Sequence, residues 1–127
     1  MSYHRLEDLE VYQLADHFGN EIWDAVIKWE IFARDTVGKQ FTRAADSIGA
    51  NIAEGYGRYH YKENRNFCFF SRGSLLETKS WLKKARYRNL ISEEQFTELY
   101  EKLETIHIKL NACIKFIGKP GEKKLYQ

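Results

Sequence analysis

Proline is nearly absent from this sequence, occurring once in 127 residues, and glycine occurs only eight times. That scarcity argues against a turn-rich β fold and leaves room for long helices. Two cysteines, Cys68 and Cys113, are too few for a disulfide framework or a four-ligand zinc site. No run approaches the ~18 apolar residues of a membrane span. The start MSYHRLEDLE is charged where a secretory leader would be apolar. A cytoplasmic protein with no membrane contact is expected, its thiols reduced and serving as small core hydrophobes. Walker loops, GxSxG and HExxH are missing too, so no residue pattern points to an enzyme or a cofactor.

What is present is a globular composition, 43% apolar and 30% charged, in a chain long enough to bury one core without cross-links. The net charge of +2 is uninformative, but its distribution is not. Residues 6–30 carry seven acids and one base, whereas residues 58–88 carry nine bases and two acids. Such asymmetry within one small domain predicts a polarised surface.

Apolar residues recur at steps of three and four along most of the chain, which predicts helices near 8–29, 36–56, 62–88 and 92–117. Asp35 is the candidate N-cap of the second helix. Ser92 with Gln95 reads as a capping box for the fourth, and Gly118 followed by Pro120 closes it. In the third helix Phe67, Phe69, Phe70, Leu75, Leu76, Trp81 and Leu82 cover most of the circumference, so burial on two sides is expected, the second against another subunit. Short connections make this an all-α, antiparallel up-down-up-down four-helix bundle over residues 1–118, with a disordered tail at 119–127.

Three stretches, LEDLEVYQLA at 6–15, RAADSIGANIAEG at 43–55 and FFSRGSLLETKSWL at 69–82, resemble the 23S ribosomal RNA intervening-sequence protein family. The likeness spans about residues 6–118. It implies a bacterial, cytoplasmic four-helix bundle that assembles into a ring-like homopentamer. It also implies kinship with accessory proteins of diversity-generating retroelements, which bind a reverse transcriptase and nucleic acid. Gly49 stands where that family often has proline.

ANIAEG places Asn51 and Glu54 on the flank of the Ile48–Ile52 stripe, and GSLLET offers Ser74 and Glu77 on the facing helix. A satisfied polar network is expected there, with Arg43 or Arg72 as counter-charges. Glu104 and His107 have the Glu-x-x-His spacing of di-iron bundles, but one such motif without its partners does not make a metal site.

The basic stretch is the functional lead. Arg58, Tyr59, His60, Tyr61, Lys62 and Arg65 interleave cations with rings, and Lys79, Lys83, Lys84, Arg86 and Arg88 follow on the third helix. Cations neutralise phosphates, and exposed tyrosines stack on unpaired bases. The expectation is a non-enzymatic homo-oligomer that binds RNA or other nucleic acid. The alternative is an adaptor for a protein partner, such as a polymerase or ribosome-associated factor, without nucleic-acid contact.

Overall fold

The computed structural model describes residues 5–118; the expected tail at 119–127, Pro120 included, lies outside the described residues. After a short 3-10 turn, Leu6–Asp8, the chain forms α1 (Glu10–Val26). A continuous helix α2 follows over residues 31–56, made of Ile31–Ala33, a π-helical turn Arg34–Gly38 and Lys39–Tyr56. The last two are α3 (Tyr61–Tyr87) and α4 (Glu93–Phe116). Each helix packs on its sequence neighbours, and α4 closes back on α1, giving the four-helix bundle.

The core lies along the bundle axis. Phe18 and Ile22 of α1, Phe41 and Ile48 of α2, Leu75 and Leu82 of α3, and Leu103, Ile106 and Leu110 of α4 are almost fully buried. Each such side chain contributes on the order of 1.5–3 kcal/mol relative to exposure, an upper figure.

Helix boundaries differ from the sequence reading at one connection. α1 stops at Val26 because the chain tightens into i→i−3 bonds, Lys28 N–H to the Ala25 carbonyl (3.3 Å) and Trp29 N–H to Val26 (3.0 Å). Trp29 still packs inward, stacked on Phe41 at 6.3 Å, which kept its apolar spacing in phase with the helix. α2 starts five residues earlier than expected, and Asp35 is not its cap. Glu30 is the N-cap: its carboxylate accepts from the N–H groups of Phe32 (3.0 Å) and Ala33 (2.7 Å). Asp35 instead lies in the π turn, 3.4 Å from Arg34. Ile31 and Phe32 face solvent, so they broke the apolar pattern and hid the first turn.

The other ends match within two residues. Ser92 accepts from Gln95 N–H and Gln95 accepts from Ser92 N–H, both at 3.0 Å, completing the capping box. Gly118 leaves α4 at φ +82, as a closing glycine does. α3 is ended by Asn89 at φ +61, with Leu90 N–H bonded to the Ala85 carbonyl at 2.9 Å.

Candidate nucleic-acid interface

The candidate bases sit on α3 and its two flanks, and the fold divides them by what else they touch. Arg58 lies 3.2 Å from Glu54 and 3.8 Å from Glu63, and covers the Phe67 ring at 4.8 Å. Arg65 is half-buried and donates to the Ile117 carbonyl, so its charge closes the C-terminus of α4. Lys79 is largely buried and pairs with Glu104, 5.2 Å above the Tyr100 ring. Arg86 stacks on Phe96 at 3.7 Å and approaches Glu93 at 3.8 Å. These four cations hold the bundle together.

Lys62, Lys83, Lys84 and Arg88 are exposed and have no ion-pair partner among the described residues. Tyr59 and Tyr87, 90% and 86% exposed, stand beside them, and Tyr61 is 40% exposed. Tyr59 meets His60 edge-on at 4.9 Å. Lys62 with Tyr59, and Lys83, Lys84 and Arg88 with Tyr87, form two clusters at opposite ends of α3. Lys62 and Lys84 are separated by a rise of about 33 Å.

Between the clusters the outer face of α3 is apolar. Phe69, Phe70 and Leu76 are 41%, 57% and 51% exposed, and a Cβ added at Gly73 would meet nothing within 4 Å. Positions 62, 66, 69, 73, 76, 80, 83 and 87 repeat at three-four spacing, so both clusters and this patch share one face. The sequence reading saw one basic stretch; the fold makes it two basic ends around an apolar centre. Tyr87 was missed, although its place between Arg86 and Arg88 repeats the cation–ring alternation of residues 58–62.

Lys79 also sets the local electrostatics. Its hydrogen bond holds the Glu104 carboxyl below the usual range. His107 is held below its ordinary value first by partial burial and then by the Lys79 ammonium. No cluster of three or more His, Cys, Asp or Glu able to hold a metal forms among the described residues.

With this geometry in place, residues 7–112 match the 23S rRNA-intervening sequence protein family. The chain belongs to that family. Its fold is also similar to a crystal structure from Bacteroides thetaiotaomicron VPI-5482, of a protein with unknown function from the S23 ribosomal protein family. That match has a TM-score of 0.75 over 83% of this chain and 98% of the other, at 24% identity, and it speaks to the fold. None of the curated proteins matches the chain. Among the described residues no helix is long and apolar enough to cross a membrane.

In this family member ANIAEG and GSLLET lie on packed helices, but they do not form the single polar network expected of them. Arg43 does meet Glu77, at 2.5 Å, and Glu77 also accepts from Trp81 Nε1 at 3.0 Å. Arg72 turns to the other neighbour, donating to Asn111 at 2.9 Å and covering Phe69 at 4.8 Å. Asn51 donates to the Ser47 carbonyl of its own helix at 2.9 Å, and Ser74 contributes its carbonyl to Thr78. Glu54 is exposed and pairs with Arg58. Asn51 and Glu54 therefore bond within their own helix and the turn that follows it, and of the expected network only Arg43 with Glu77 joins α2 to α3.

Other residues also join α2 to α3. Gly55 continues the stripe of Ile48 and Ile52 and is itself buried. An added Cβ there would stand 2.7 Å from Asn64 Oδ1 and 2.8 Å from Phe67 Cβ. Ser71 is fully buried and donates to the Ile48 carbonyl at 2.7 Å. The signal was available for Gly55, since position 55 falls on the apolar phase. Nothing in the pattern singled out Ser71.

Proposed function

We propose that this chain is a non-enzymatic, homo-oligomeric bundle that binds RNA or other nucleic acid. The observation that carries the reading is the outer face of α3, with exposed tyrosines and cations that have no ion-pair partner among the described residues at both ends, and an apolar centre. Phe69, Phe70 and Leu76 become buried when copies associate, and Gly73 admits a close neighbour. Assembly into the five-membered ring that the family resemblance implies repeats Lys62, Lys83, Lys84 and Arg88 around it. Repetition turns a few cations per protomer into a multivalent phosphate surface. Tyr59, Tyr61 and Tyr87 are placed to stack on unpaired bases, which favours single-stranded or looped RNA over duplex.

The test is a titration of fluorescent single-stranded RNA, hairpin RNA and duplex DNA at low and physiological salt, after stripping co-purified nucleic acid. RNA binding is expected to weaken steeply with salt. Replacing Lys62, Lys83, Lys84 and Arg88 with alanine is expected to lower the log–log slope by about 0.7 per lost single-strand contact. Light scattering on Leu76→Glu reads the assembly, which should fall to the protomer mass. No binding at low salt, or a slope indifferent to the four substitutions, overturns the nucleic-acid reading. A wild-type protomer mass overturns the oligomer.

A further inference from the structure

Beside the basic cluster at the end of α3, the start of α2 and the last turns of α3 frame a cleft of about 470 Å³, within the range of small-molecule sites. Phe32, Asp35, Lys39 and Gln40 line it from α2, and Trp81 and Arg88 line it from α3 and its end. Phe32 is 74% exposed, so its ring is open to a ligand. Trp81 is fixed: its Nε1 donates to Glu77 at 3.0 Å, and Glu77 accepts from Arg43 of α2 at 2.5 Å. Along this wall α2 is π-helical, over Arg34–Gly38, a distortion that recurs at functional sites.

The cleft is net positive. Lys39 and Arg88 are exposed and have no ion-pair partner among the described residues, while Asp35 is met by Arg34 at 3.4 Å. Gln40 is half-buried, and its Oε1 accepts from Arg43 Nε at 3.2 Å. That bond orients the amide and leaves Nε2 to donate.

An unpaired base carrying its phosphates uses all of these groups at once. The base stacks on Phe32, its acceptor edge takes a Gln40 N–H, and the phosphates meet Lys39 and Arg88. An acidic peptide satisfies the cations alone. We propose that this cleft is a nucleobase pocket, seating one unpaired base of a single-stranded nucleic acid. The proposal rests on the nucleic-acid reading of α3 and carries that surface onto α2. Trp81, Lys84 and Arg88 fall at three-four spacing on one face, so a strand held at Lys84 leads into the cleft.

The experiment uses the full chain and fluorescent probes of equal charge: a single-stranded RNA, the same strand with abasic sites, and an oligoglutamate. The wild type should bind the base-bearing strand most tightly. Phe32→Ala, at an exposed position, should weaken that binding about tenfold, leave the abasic strand unchanged and leave the Tm unchanged. Millimolar adenosine monophosphate should shift the Trp81 indole Nε1 resonance, assigned with Trp81→Phe. If Phe32→Ala binds both strands as the wild type does, the pocket is overturned and the RNA reading stands. If the wild type binds no RNA yet adenosine monophosphate shifts Trp81, the cleft is a nucleotide site and the RNA reading falls. Neither response overturns both. An oligoglutamate bound as tightly as the RNA gives the cleft to acidic chains and overturns the pocket too.

Discussion

Gly55 is where a single methyl group should cost most. It is the penultimate residue of α2, and α3 crosses directly over it. The added Cβ of Gly55→Ala would lie 2.7 Å from Asn64 Oδ1, 2.8 Å from Phe67 Cβ and 3.0 Å from the Asn64 carbonyl oxygen. Carbon pairs prefer about 3.5–4.0 Å. Two of the three obstacles, a Cβ and a backbone oxygen, cannot rotate aside. Asn64 is itself 6% exposed and accepts from the Cys68 thiol, so its side chain is confined too. The helices must separate, and overpacking of this kind costs about 1–3 kcal/mol. Alanine recovers at most ~1 kcal/mol in helix propensity, and less near a helix end. The expected net loss is about 1–2 kcal/mol, a fall in Tm of about 4–8 °C for a chain of this size. Urea and thermal unfolding followed at 222 nm measure it. Gly49→Ala, on the same helix, is the matched control, because its Cβ would meet Asp16 and Ala15 only at ordinary contact distances of 3.6–3.8 Å and the propensity gain is left to show. A Gly55→Ala protein as stable as the wild type would refute the close-approach argument.

Two further perturbations separate structural cations from binding ones and give the pH response its sign. Arg65→Ala removes a charged donor from the Ile117 carbonyl at the end of α4. A loss of about 1.5–3 kcal/mol in urea unfolding is expected, with the salt dependence of RNA binding unchanged. His107 carries a folded-state pKa below its ordinary 6.5, burial first and Lys79 second. Below pH 6.5 the unfolded chain therefore binds more protons than the folded one, and stability falls on acidification. His107→Gln should flatten the urea-midpoint profile just below pH 6.5, and an unchanged slope would contradict the assignment.

How much of this was legible in the sequence depends on whether a feature is local. Helix α4 was readable nearly to the residue, since its capping box and its closing glycine are signals within a few positions of each end. The start of α2 was not, because Ile31 and Phe32 point to solvent and their first turn looks like a linker. Glu30 was visible, but a glutamate cap carries less weight in sequence than Asp35 five positions later. The same limit governs the polar residues. Asn51 and Glu54 could be placed on a helix flank, but which way the flank turns is set by where α3 crosses, and Gly55 sets that crossing. Arg43 and Glu77 could be brought together from helix register alone. Arg72 could not be assigned to Asn111, because both neighbouring helices lie within reach of a long side chain.

The same reasoning changes what the charge asymmetry means. Of the nine bases in residues 58–88, Arg58, Arg65, Arg72, Lys79 and Arg86 spend their charge on carboxylates, amides, carbonyls and rings within the bundle. Counting them as a phosphate surface overstates it by more than half. On the acidic side, Glu10 and Glu21 are likewise spent on Lys109 and Lys102, while Glu98 and Glu101 of α4 remain. What a partner meets is this remainder, sorted by the topology. Of that remainder, Lys62, Lys83, Lys84 and Arg88 stand along the outer face of α3 and at its end, while Glu98 and Glu101 stand on α4. In an exposed pair a charge is worth less than about 1 kcal/mol to the fold. The unspent charges therefore cost the protomer little to keep, and the cations set along one face of α3 around an apolar centre are the feature that stability alone does not account for.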